Sequence, residues 1–141
     1  MRFTARQHAL VDELMHLNDS HERLSAVVDR ARRAPRLSPD ERTDANRVAG
    51  CASSVWLIGE LRNGLCYFRS DADSPVVRGL VALLAEFFSG APPGEILDTD
   101  ANPLATLDLE RGLSVTRRHG LKAVCNGIRG FATASLPPDA A

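Results

Sequence analysis

VWLIGELRNGLCYFRS, residues 55–70, is the stretch on which the fold turns. Val55, Leu57, Gly59 and Leu61 alternate with Trp56, Ile58 and Glu60, the period-2 pattern of a strand. Asn63-Gly64 then interrupts it. Both central residues of a type I′ turn need positive φ, and Asn-Gly supplies them at the lowest steric cost, so the pair predicts a tight hairpin. A two-residue turn fixes the register: Leu61 faces Cys66 and Gly59 faces Phe68. Cys66 then shares a face with Val55, Leu57 and Leu61, and that face is expected to be the buried one.

On both sides of this hairpin the apolar period changes to that of helices. Residues 4–17 place Leu10, Val11, Leu14 and Leu17 on one stripe. Asp19 or Ser20 caps a second helix, with Leu24, Val27, Val28 and Ala31 at i, i+3, i+4 and i+7, ending near Pro35. Residues 35–46, PRLSPDERTDAN, read as a loop. After the hairpin, Ser74-Pro75 opens a helix running VVRGLVALLAEFF to Gly90. It is apolar nearly all round and is expected at the centre of the core. Short helices are predicted at 93–98 and 103–109. Ser114 caps a last helix to about 134, with Leu121, Val124, Cys125, Ile128 and Ala132 inward. Gly120, Gly127 and Gly130 each weaken that helix by about 1 kcal/mol relative to Ala, unless they serve close packing. The order predicts an α+β fold, a small antiparallel sheet with helices packed against it. One domain over residues 1–141 is expected, its tail from 135 frayed.

Net charge is −1 over 141 residues, which gives no reason to expect non-specific nucleic-acid binding. No apolar run is long enough to span a membrane. The first residues carry Asp12 and Glu13 and lack the apolar core of a secretory signal, so a cytoplasmic location is expected. Charge is uneven: residues 51–110 hold 3 basic and 9 acidic side chains, and residues 111–141 hold 5 basic and 1 acidic. Such asymmetry fits a partner-docking surface as well as a solvated one.

Of three cysteines, none forms a CxxC pair, which argues against a zinc ribbon or a dithiol, and no metal site is expected. Cys66 and Cys125 fall on core faces and read as small hydrophobes. Cys51 differs. It follows Gly50 in a tight turn where the loop meets the strand, and its small neighbours Ala52, Ser53 and Ser54 leave room and donors beside the sulfur. From these residues alone, a reactive thiol and an inert turn residue both stay open.

Three blocks resemble the SufE family in order and spacing: ERTDANRVAGCASSVWL (41–57), SDADSPVVRGLVALL (70–84) and LSVTRRHGL (113–121). Members are sulfur acceptors that stimulate a cysteine desulfurase and pass sulfur to an iron–sulfur assembly scaffold, on an α+β fold shared with IscU-type scaffolds. The resemblance implies that Cys51 is the acceptor, carried as a persulfide. Asp73 takes the place of the second acid in the loop before the central helix, and Arg117 that of the Arg after the Leu-Ser turn. Ser53, Asp73, Arg117 and His119 are the expected supporting or partner-contact residues, Arg117 also as a cation for the thiolate. Asp73 has two plainer roles available, as a helix cap or a solvated acid. Ala52, Val115 and His119 depart from the family's usual residues. The pyridoxal phosphate of the reaction belongs to the desulfurase, so no cofactor is expected in this chain. Shelter of Cys51 is expected from Val55 and Trp56. Monomer and homodimer are both compatible with the sequence.

Three alternatives compete. An IscU-like scaffold needs several ligands converging on one site. A cysteine hydrolase needs a His beside the nucleophile, and only His8, His16, His21 and His119 exist. A non-catalytic desulfurase-binding module needs no thiol at all.

Overall fold

The hairpin forms as its Asn-Gly pair requires. Strands β1 (Val55–Arg62) and β2 (Leu65–Ala72) are antiparallel, with Leu61 opposite Cys66 and Gly59 opposite Phe68. Asn63 and Gly64 have φ of 54° and 79°. This computed structural model describes residues 4–51 and 54–137.

Around the hairpin lie α1 (Ala5–Met15), α2 (Ser20–Arg33), α3 (Pro75–Phe88), α4 (Pro93–Asp98), α5 (Pro103–Thr106) and α6 (Val115–Ala134). Polar side chains start all of them but α4, which follows Pro92 with no side-chain cap. Thr4 forms a capping box with Gln7, and Asp19, Ser74, Asn102 and Ser114 accept from backbone N–H groups in the first turns of α2, α3, α5 and α6. The fifth helix stops at Thr106, short of the expected 109, because Asp108 adopts a φ of 55°. Ser135, expected in a frayed tail, closes α6 with N–H bonds to Phe131 and Ala132.

Helix α3 is the centre: Leu80, Val81, Leu84 and Phe87 are at most 1% exposed, and it packs on β2, α2, α6, α5 and α1. Each such side chain contributes about 1.5–3 kcal/mol by leaving water. On the inner face of the hairpin Val55, Cys66, Phe68 and Ala72 are buried. Leu61 has the expected facing but is 45% exposed, because it lies beside the turn, beyond the reach of the helices. Gly59 has a definite reason to be glycine: a Cβ there would sit 2.5 Å from the Phe131 ring.

The outer face is covered by the 35–46 loop. Arg42 lies over Trp56, Glu41 pairs with Arg69, and Arg36 pairs with Asp71. Asp71 is 0% exposed and also binds Arg78 at 3.2 Å. Burial alone would raise its pKa. Hydrogen bonds from Arg36 and the Ala72 N–H, with the charges of Arg36 and Arg78, outweigh that and hold it below the ordinary carboxylate value.

Candidate functional site

Cys51 sits in a loop that is tied down on both sides of the thiol. Arg47 bridges Trp56 in antiparallel fashion, and the Val48 N–H donates to Val55 O at 2.8 Å, closing the loop at its base. The Asp73 N–H donates to Ser54 O, tying the loop to the start of α3. Gly50 makes the turn with a φ of 89°, which favours glycine. The loop then meets α6 where that helix is small: Ala123 opposes Gly50, and Gly120 opposes Cys51. Gly127 likewise gives room to Leu57, so two of the three α6 glycines serve close packing; Gly130 has nothing near it.

The Cys51 thiol is half-buried and donates to Gly120 O at 3.4 Å. Beside it lies a cavity of about 30 Å³ lined by Val55, Val77, Val81, Leu121, Val124 and Gly120, with Thr116 and Arg117 also lining it. That volume exceeds the ~10–15 Å³ a single water needs, but the walls are apolar and offer a polar guest few partners. Burial pushes the thiol pKa up, and the charge of Arg47 acts against this. At neutral pH the group is therefore overwhelmingly a thiol.

The other expected site residues are placed as follows. Arg117 is exposed, lines the same cavity and takes its helix cap from Ser114. The cation whose charge acts on the thiol is Arg47, which the sequence did not single out beyond its place in the first block. His119 is exposed next to Gly120. Asp73 is exposed and does not cap α3; the Ser74 side chain does. Ser53 lies outside the described residues. Val55 shelters the cavity as expected, but Trp56 does not line it, because strand alternation sends it to the outer face under Arg42. Cys66 is fully buried, and Cys125 is half-buried at the edge of the core rather than within it. Burial raises the pKa of both. Among the described residues, no three His, Cys, Asp or Glu side chains gather where they would hold a metal ion, and no helix is long and apolar enough to cross a membrane.

Fold and site together define a class: an α+β domain that presents one half-sheltered thiol from a loop braced between a hairpin and a glycine-bearing helix. Residues 8–132 match the family model for SufE, the Fe-S metabolism associated domain. Two relatives are similar along nearly their whole length. An uncharacterized SufE-like protein of Rhizobium etli is 35% identical over 132 residues, covering 90% of this chain and 89% of that protein. One from Rhizobium meliloti is 32% identical over 133 residues, covering 91% and 95%. A chloroplastic quinolinate synthase of Oryza sativa subsp. japonica is 39% identical over 103 residues, which are 72% of this chain and 14% of that one. The solution structure of a hypothetical protein from Thermus thermophilus superposes with a TM-score of 0.75 at 17% identity, covering 95% of this chain and 98% of that chain, a likeness of fold. The chain belongs to the SufE family and so to iron–sulfur metabolism.

Proposed function

We propose that this protein is a cytoplasmic sulfur carrier: Cys51 accepts sulfur from the persulfide of a cysteine desulfurase, stimulates that enzyme by clearing its cysteine, and delivers the sulfur to an iron–sulfur assembly scaffold. The Cys51 thiolate attacks the terminal sulfur of the donor persulfide. A new S–S bond forms at Cys51, the donor's S–S bond breaks, and the donor cysteine leaves as a thiolate. Nothing is oxidised or reduced overall, and the donor's pyridoxal phosphate takes no part at this thiol. The step is persulfide exchange, governed by thiolate fraction and access.

The observation that carries this reading is the small apolar cavity directly beside the Cys51 thiol. It suits a single extra sulfur atom, and it limits the oxidation and leakage to which exposed sulfur species are prone. The raised pKa fits a thiol kept quiet until a partner arrives; docking then exposes it and brings a cationic environment that Arg47 and Arg117 extend. A desulfurase-binding module without sulfur chemistry would have no need of this cavity. The scaffold alternative is less well supported, since Cys66 is buried on the hairpin's inner face rather than beside Cys51.

The test is desulfurase turnover with and without this chain. Wild type is expected to stimulate sulfide release from cysteine, and Cys51→Ser to abolish the stimulation while Cys66→Ala retains it. Full stimulation by Cys51→Ser would refute the carrier reading.

A further inference from the structure

A second cavity, of about 580 Å³, lies between α2, β2 and α3 and shares no residue with the one beside Cys51. Its size falls within the ~300–1,000 Å³ typical of ligand sites. Three features describe what would fill it.

The floor is apolar: Val27 and Ala31 of α2, Phe68 of β2 and Leu83 of α3 are all buried groove residues. The charged lining is one-sided. Arg30, Arg33, Arg36 and Arg69 border the groove against a single acid, Glu86, and Arg30 already holds both oxygens of Glu86 at 2.8 Å. The side chains of Arg33, Arg36 and Arg69 are 72%, 52% and 55% exposed, and their acid partners Asp29, Asp71 and Glu41 lie outside the lining.

The third feature is a gap in a strand edge. Alternate residues of an antiparallel strand turn their N–H and C=O away from the partner strand. On β2 these are Cys66, Phe68, Ser70 and Ala72. Cys66 exchanges bonds with Gly90 and Ala91, and Phe68 bonds the Ser89 hydroxyl. The Ala72 N–H donates to Asp71, and Ala72 O accepts from Arg36. Ser70, itself a groove residue, has no such partner among the described residues.

From these features we infer that the groove is a docking site for an extended acidic segment of a partner protein. An extended backbone supplies the acceptor and donor that Ser70 lacks, as in strand addition. Its carboxylates meet guanidiniums, whose planar fork suits them. An intervening apolar side chain covers Phe68 and Leu83. A small anion would satisfy the arginines but leave the floor and the strand edge bare. A partner held here leaves the Cys51 cavity open, so a tethered acidic tail raises the local concentration of whatever approaches the thiol.

The test titrates a blocked pentapeptide of alternating Glu and Leu into the isotope-labelled full chain, followed by backbone amide and arginine side-chain resonances. Expected are saturable shifts at Ser70, Arg36 and Arg69, slower hydrogen exchange at the Ser70 amide, and about tenfold weaker binding between 50 and 500 mM NaCl as charges are screened. Arg33→Gln, a change at an exposed position, is expected to weaken binding about threefold with its own fold intact. The inference is overturned by an absence of saturable shifts, by equal binding of the Gln-Leu peptide, or by inorganic phosphate alone reproducing the shifts, which would mark a small-anion site.

Discussion

Gly120→Ala separates stability from sulfur acceptance. Position 120 lies inside α6, and an added Cβ would stand 3.5 Å from the Cys51 Sγ and 3.8 Å from its Cβ, ordinary van der Waals separations. The free protein therefore accommodates the methyl. Replacing a helical glycine contributes up to about 1 kcal/mol, which for a chain of this size raises Tm by about 3 °C. The loaded state fares differently. The methyl takes space in a cavity of about 30 Å³ beside the sulfur. Overpacking a close-fitted site costs about 1–3 kcal/mol, so a central cost of about 2 kcal/mol shifts sulfur loading roughly thirtyfold against the persulfide. Differential scanning calorimetry reads the first quantity. Mass spectrometry of the chain equilibrated with a desulfurase, its cofactor and limiting cysteine reads the second. A Tm that falls by several degrees would show that the loop is packed more tightly against α6 than these separations allow. Loading equal to wild type would show that the added sulfur does not enter this cavity.

Asp71→Ala is expected to cost about 3 kcal/mol in urea unfolding, because it leaves Arg78, 13% exposed, without its acid at 3.2 Å; a loss under 1 kcal/mol would contradict the pairing. Stability should also fall with acid. Glu41, hydrogen-bonded by Arg69, has its pKa lowered to about 2, and that of Asp71 is lowered too. Folded-state pKa values below the unfolded ones, about 4.3 and 3.9, mean that the unfolded chain binds more protons in this window. The contribution is whole above about pH 4.5 and is lost as pH drops toward 2. Urea midpoints across pH 2–6 should show a shallower slope in Glu41→Gln; an unchanged slope would contradict this. Alkylation of Cys51 by iodoacetamide should rise with pH through a midpoint above the ordinary thiol value of about 8.5. Arg47→Ala should move that midpoint higher still, since the charge of Arg47 opposes the effect of burial; a lower midpoint would contradict the assignment.

The hairpin and its register were legible because Asn63-Gly64 admits few other geometries. Helix starts were legible because caps are local chemistry. What the sequence concealed depends on contacts across the chain. The acids of SDADS read as one loop with Asp73 foremost, yet β2 runs on to Ala72, and the side chain that becomes buried is Asp71. The alternation Tyr67, Arg69, Asp71 carried that signal, but its cationic partners come from positions 36 and 78. Arg117 was a candidate cation for the thiolate only if the fold brought it near Cys51, and it does line the cavity. The influence of Arg47 was not separable from sequence, because it depends on how the loop folds back. Trp56 was expected at the shelter together with Val55, whereas strand parity sends it to the opposite face.

Intact-mass analysis of the chain after reaction with a desulfurase, pyridoxal phosphate and cysteine decides whether Cys51 carries sulfur. The expected result is a gain of one sulfur atom, located at Cys51, removed by reductant and absent in Cys51→Ser. Sulfur found on Cys66 or Cys125 instead, or an equal gain in Cys51→Ser, would contradict it.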